Sequence, residues 1–267
     1  MDNITANIIG VVPAAGRGTR ISPLPGSKEL FPIGIQEKYD QPRPKVVSQY
    51  LLEQMVRADI KRCFIVLGSG KWDIPAYFGR GETIGIDLAY SVIRDSAGTP
   101  FTVDSVFSFV SDKIVALGLP DILFETDNVY CRLVTAFQSN PCDVMLGLFP
   151  ADQPELVDMV AFANDGSVER IDIKPMHTSL TCTWGVALWA TTFTRFMHDW
   201  LSSVGRDSLG SRHGYGELFV GDVIQAAIDA GLKVSSTVVS EKPYLDIGTP
   251  HNLIRAINEH TPRLKNI

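Results

Sequence analysis

Continuous apolar runs and helix-spaced apolar positions alternate along the first half of the chain. Residues 8–12 (IIGVV) are short, branched and bounded by Pro13, the pattern of a strand buried on both faces. Residues 46–60 then repeat apolar positions at helical spacing through Val47, Tyr50, Leu51, Met55 and Ala58, and CFIVLG at 63–68 returns to a buried strand. The same reading gives a short helix at 73–80, a strand at 87–93, a helix at 101–111 and a strand at 113–119. A helix at 127–139 and a strand at 143–149 complete the series. Alternation of this kind predicts an α/β fold, a Rossmann-like and mostly parallel sheet with helices on both faces.

Beyond residue 150 the rhythm changes. Residues 167–175 and 181–190 read as strands around a turn, followed by a helix at 191–203. The glycine-rich stretch 205–216 reads as a mobile loop. A helix at 217–231, a strand at 233–240 and a helix at 250–260 opened by Pro250 follow. Neither a repeat nor a low-complexity linker interrupts the chain. It therefore reads as one domain over 1–267, with a main part of about 1–150 and a small β-containing subregion appended within about 151–267.

Composition narrows the function classes. In 267 residues, 45% are hydrophobic, ample for a substantial core. A formal charge of -6 disfavours nucleic acid as a partner. No window approaches the roughly 18 apolar residues of a membrane span. The four cysteines lack CxxC spacing and read as free thiols in a reducing compartment. The first residues lack the basic region of a signal peptide, so a cytoplasmic location is expected. Whether the chain forms a homo-oligomer stays open.

Chemistry concentrates where the first strand ends, in VPAAGRGTRISPLPGSKELFP (12–32). Gly16 and Gly18 let the backbone turn tightly and present bare N–H groups, which bind anions; Arg20 and Lys28 add positive charge. This is neither a dinucleotide fingerprint, because Ile21 stands where the third glycine belongs, nor a Walker A loop. The five histidines show no HExxH spacing, and no GxSxG elbow is present. Trp184 and Trp189 read as core aromatics of a strand.

The longer pattern is more specific. PAAGRGTR followed by SKELFPIG resembles the signature of the sugar-1-phosphate nucleotidyltransferases, the nucleotide-sugar pyrophosphorylases. GIDLAYSV (85–92), ALGLPDIL (116–123), IDIKP (171–175) and YLDIGTP (244–250) are similar to further family motifs in the same order. The resemblance implies transfer of a nucleotidyl group from a nucleoside triphosphate, UTP or another pyrimidine triphosphate, to a small phosphorylated acceptor. Ala14, Ala15, Gly16, Gly18, Thr19 and Gly98 would bind the nucleotide, while Arg20 and Lys28 would stabilise the leaving pyrophosphate. Asp121 and Asp246 would hold Mg²⁺, and Lys174, Gly185 and Glu217 would bind the acceptor. Lys28 is expected to be exposed in its loop.

Two selectivity positions depart from the family pattern. Ile93 stands where a glutamine reads the pyrimidine edge, and Ile173 replaces the glutamate of the EKP motif that contacts the sugar. The departures imply unusual specificity, extending to a non-hexose or phosphonate acceptor. A non-catalytic regulatory protein of the same fold, which binds a nucleotide sugar without turnover, is the alternative.

Overall fold

The computed structural model describes residues 4–38, 40–204 and 217–260. The glycine-rich stretch 205–216 lies outside them. Strands β1 (Ile8–Ala14), β2 (Pro32–Lys38) and β3 (Gln41–Val46) lead into helix α1 (Val47–Arg57). Then come β4 (Arg62–Gly68), α2 (Asp73–Phe78), β5 (Asp87–Ile93), α3 (Thr99–Asp104), α4 (Phe107–Val110), β6 (Ile114–Gly118) and β7 (Ile122–Leu123). Next are α5 (Val129–Ser139), β8 (Val144–Pro150), β9 (Met159–Phe162), β10 (Val168–Asp172) and β11 (Cys182–Trp189). The chain continues with α6 (Thr191–Val204), α7 (Val220–Asp229), β12 (Val234–Val238), β13 (Leu245–Asp246) and α8 (Pro250–His260).

Among the described residues, nine strands form the main sheet. Its central order is β12-β8-β11-β6-β1-β4-β5, with β9 and β10 attached at the start of β11 through Thr183 opposite Met159. The sheet is mixed but mostly parallel: β11 runs against both β6 and β8, and β10 runs against β9, while the others share one direction. Both faces are covered, as continuous apolar strands require. One face packs with α1, α2 and α5 around Leu51, Met55, Tyr130 and Leu133; the other packs with α3, α6 and α7 around Val103, Phe193, Met197 and Val223.

Several elements differ from the sequence reading. The helix expected at 101–111 divides into α3 and α4. There the Ser105 hydroxyl donates to the Thr102 carbonyl at 2.7 Å, offering that carbonyl a partner outside the helical ladder. The strands around residues 170 and 185 do not pair with one another, because the short, unanticipated β9 lies between them. The β2–β3 hairpin was also not anticipated; Pro42 and Pro44 cannot donate to a ladder, and the hairpin stands outside the main sheet. Helix α7 starts at Val220, where the Asp222 carboxylate accepts the Phe219 N–H at 2.9 Å.

Candidate functional site

Strand β1 has β4 on one side and β6 on the other. The chain leaves β1 toward β4 and β5, then returns to the opposite side for β6. In an open α/β sheet, ligands bind in the crevice beyond the carboxyl ends of strands at such a reversal. Here the crevice receives the loop after β1, carrying Ala15 to Lys28, and the loop after β6, carrying Asp121. Because β11 runs the other way, its first residues reach the same edge.

The Lys28 turn is held from both sides. The Ser27 N–H and hydroxyl each donate to the Asp73 carboxylate at 2.7 Å. Glu29 is 1% exposed and accepts from Lys71 Nζ at 2.7 and 2.8 Å. The Ser48 hydroxyl donates to the Glu29 carbonyl at 2.6 Å. Burial pushes the Glu29 carboxyl up, against the pull of Lys71 and Lys28. Gly18 sits at φ 63°, where an L side chain is strained, and opens a single 3₁₀ turn over Thr19–Ile21. A second 3₁₀ turn, Lys28–Leu30, presents Lys28.

Asp121 and Asp246 are brought together by a ladder of only two residues per strand. Leu123 pairs with Leu245 and Ile122 with Asp246, and the Ile247 N–H donates to the Asp121 carbonyl at 3.0 Å. Lys28 forms an ion pair with Asp121, their side chains being only 15% and 14% exposed, so the exposed loop lysine expected from sequence is in fact half of a largely buried pair. Burial draws the Lys28 ammonium down, but Asp121, Glu29 and Asp246 outweigh it and hold its pKa above that of free lysine. Burial and the neighbouring Asp121 charge push the Asp246 carboxyl up to about 6, against the Gly248 N–H, Lys28 and Arg20. That N–H donates to Asp246 Oδ1 at 2.7 Å. A Cβ added at Gly248 would lie 2.9 Å from both Arg20 Nη2 and Asp246 Oδ1, which places the guanidinium beside this carboxylate.

Two cavities meet at Gly16 and Lys28. A cleft of about 820 Å³ runs along Ala15, Gly16, Gly68 to Lys71, Arg94 to Ser96 and Glu217. A second cavity of about 240 Å³ is lined by Arg20, Asp121, Asp158, Lys174, Trp184, Phe219, Tyr244 and Asp246. Lys174 sits at φ 42°, a conformation unusual for a residue with a Cβ, with its Nζ 3.7 Å from the centre of the Phe219 ring. Burial lowers the Lys174 pKa, against Asp158 and Glu217.

The remaining sequence candidates take varied places. Ala14 is buried at the end of β1, and Thr19 and Glu217 are exposed. Gly98 lies at φ 118° ahead of α3 and bridges to Leu218; a Cβ there would meet the Leu218 backbone, so its glycine character serves that close approach. A Cβ at Gly185 would lie 2.8 Å from the Tyr244 ring, so this glycine makes room for a cavity wall. Ile173 is partly buried and packs against the core beside Gly221. Sequence reasoning did not anticipate Glu29, Lys71, Asp158, Phe219 or Tyr244; GSGK after β4 and the tyrosine of YLDIGTP were the available signals. Among the described residues, no group of three or more His, Cys, Asp and Glu side chains is gathered for a metal. None of the helices among them is long and apolar enough to cross a membrane.

Known proteins resemble this chain in sequence and in fold. The chain is 24% identical over 250 residues to a low-salt glycan biosynthesis nucleotidyltransferase of Haloferax volcanii, covering 92% of this chain and 64% of that protein. It is 27% identical over 233 residues to a glucose-1-phosphate thymidylyltransferase of Streptomyces griseus, covering 86% and 60% respectively. The chain thus spans somewhat under two thirds of the length of these two relatives. Its fold is that of a Bacillus anthracis protein assigned as a glucose-1-phosphate thymidylyltransferase and solved with a sucrose, at TM-score 0.77, 20% identity and 97% coverage of both chains. A UDP-glucose pyrophosphorylase complexed with UDP-glucose superimposes at TM-score 0.72 and 18% identity, covering 94% of this chain and 97% of the other. The family model for nucleotidyl transferases matches residues 9–262, nearly the whole length, and this chain belongs to the nucleotidyl transferase family.

Proposed function

We propose that the protein transfers a nucleotidyl group from a nucleoside triphosphate, with a pyrimidine triphosphate favoured, to a sugar 1-phosphate or related phosphate or phosphonate, releasing pyrophosphate. The observation that carries this reading is the meeting of two cavities at Lys28, beside the Asp121–Asp246 pair. The larger cleft suits the triphosphate and its base, the smaller cavity the acceptor. An acceptor phosphate oxygen attacks the α-phosphorus, and the bond from that phosphorus to the α,β-bridging oxygen breaks, leaving pyrophosphate with the electron pair. The nucleophile is already ionised, so the protein's task is positioning and charge neutralisation. Backbone N–H groups of Ala15 to Thr19 hold the triphosphate, and Lys28 and Arg20 balance charge on the leaving group. Lys174, over the Phe219 ring in the smaller cavity, holds the acceptor phosphate.

A divalent cation fits the donor set. Asp121 and Asp246 are neighbouring oxygen donors whose mutual repulsion contributes to the raised pKa of Asp246. Mg²⁺ commonly takes one or two carboxylates and completes its shell with substrate phosphates and water, so it needs no third protein ligand. When bound, it would supply charge neutralisation at the phosphates.

The test is a pyrophosphate-release screen of common triphosphates against a panel of sugar 1-phosphates and phosphonates. The proposal expects release that requires both substrates. Tight binding of UDP-glucose without any acceptor-dependent release would instead identify a non-catalytic sensor.

A further inference from the structure

The larger cleft carries a charge that a triphosphate does not favour. Arg17, Lys28, Lys71 and Arg94 line it and suit phosphates, yet Asp73 lines it too. The Asp73 carboxylate accepts from the Ser27 N–H and hydroxyl, both at 2.7 Å, and from the Ile74 N–H at 3.1 Å. Burial pushes this carboxyl up, but the hydrogen bonds from Ser27 outweigh it and hold the pKa below the ordinary aspartate value. Asp73 is therefore ionised at neutral pH, and by charge alone it repels a phosphate nearby.

What Asp73 holds is the residue before Lys28. Lys28 stands on a 3₁₀ turn of three residues, Lys28–Leu30, and so short a turn has little stability of its own. Its position is imposed by its neighbours. A Cβ at Gly26 would lie 3.0 Å from Asp73 Oδ2, so a glycine admits the carboxylate close to this turn. On the other side of Lys28, Glu29 is bound by Lys71, two residues before Asp73. Lys28 is thus bracketed by two tethers to one short segment, 71–73, where the loop after β4 enters α2. The lysine stem also lies against the phosphate loop, since a Cβ at Gly18 would be 3.4 Å from Lys28 Cδ. A shift of Ser27 therefore moves Lys28 relative to the loop that carries the anion-binding N–H groups.

We propose that Asp73 is a positioning residue: through Ser27 it fixes the turn that aims the Lys28 ammonium at the charge developing on the leaving pyrophosphate. The inference rests on the leaving-group role given to Lys28 above. Its sign is opposite to that of charge alone. Removing an anion from a phosphate site strengthens phosphate binding, whereas removing a tether on Lys28 weakens it.

The probe is inorganic pyrophosphate, titrated calorimetrically into the whole chain with Mg²⁺ present. Lys28→Ala and Asp73→Ala should each raise its dissociation constant about tenfold or more, the scale of one hydrogen bond to a charged group. Asp73→Asn also lacks the charge but retains one acceptor oxygen, so its affinity should lie between those of wild type and Asp73→Ala. Adding Asp73→Ala to Lys28→Ala should change nothing further, because the tether acts only through that lysine. Circular dichroism establishes that each variant is folded at the titration temperature; if Asp73→Ala is not, Asp73→Asn carries the same test of sign. Affinity equal to or tighter than wild type in the Asp73 variants would overturn the inference, as would an equal loss in the Lys28→Ala background. Pyrophosphate binding that is absent from wild type, or unchanged in Lys28→Ala, would remove the leaving-group role and this inference together. A loss in Lys28→Ala without one in the Asp73 variants would remove this inference alone.

Discussion

Replacing Asp246 by asparagine should stabilise the metal-free protein at neutral pH while removing its activity. The Asp246 carboxyl is raised from an ordinary value of 3.8 to about 6, first by burial and then by Asp121. A carboxyl raised on folding favours the folded state fully below its unfolded pKa, and that contribution is lost as pH rises through the folded value. Between about pH 4 and pH 6 the wild type therefore gives up a shift of roughly two units, or about 3 kcal/mol at about 1.4 kcal/mol per unit. Asparagine retains the oxygen that accepts the Gly248 N–H and carries no charge. In metal-free buffer, urea unfolding should show little difference between Asp246→Asn and wild type at pH 4 and a variant more stable by about 2–3 kcal/mol at pH 7.5. Mg²⁺ at pH 7.5 should raise the wild-type midpoint and leave the variant's unchanged. A variant equal to or less stable than wild type at pH 7.5 would refute the claim that burial and the Asp121 charge raise this carboxyl in the folded protein.

Lys28→Ala should lower turnover by about a hundredfold or more, the scale of losing a preorganised charge donor. It should also destabilise the fold by about 1–3 kcal/mol, measurable by urea unfolding, because Asp121 is left largely buried without its partner. Gly185→Ala places a methyl 2.8 Å from the Tyr244 ring and 3.1 Å from Phe149. It should cost about 1–3 kcal/mol by overpacking and raise the acceptor KM, and an unchanged thermal midpoint would contradict that. Base selection should be loose among pyrimidine triphosphates, since the Ile93 side chain cannot hydrogen-bond and its carbonyl already accepts from the Ser69 N–H at 3.0 Å; strict use of ATP or GTP would contradict it.

The central strands were legible because strands buried on both faces must be apolar throughout: β1, β4, β6 and β8 each read as a continuous run. Lys28, Asp121 and Asp246 were legible as family motifs, and the structure brings all three to one point. What joins the two aspartates was not legible, because two-residue strands have no periodicity to detect. Pro42 and Pro44 hid the β2–β3 hairpin, and β9 is too short to announce itself. The burial of Lys28 was not legible because its partner Asp121 arrives from the loop after β6, and Asp73, which holds the neighbouring Ser27, from the start of α2. In β11, Trp184 lies opposite Leu148 and Val186 opposite Gly147, so Gly185 is an extra residue and Trp184 joins the core face of Ala187 and Trp189, a facing that simple alternation does not give.

The most direct test of a shared metal and phosphate centre is a double-substitution cycle on single-turnover pyrophosphate release. Asp121→Asn and Asp246→Asn should each remove most activity, and the double variant should lose little more than either, because residues that serve one ion act as a unit. Losses that simply multiply would contradict the account by showing that the two carboxylates, adjacent as they are, work independently.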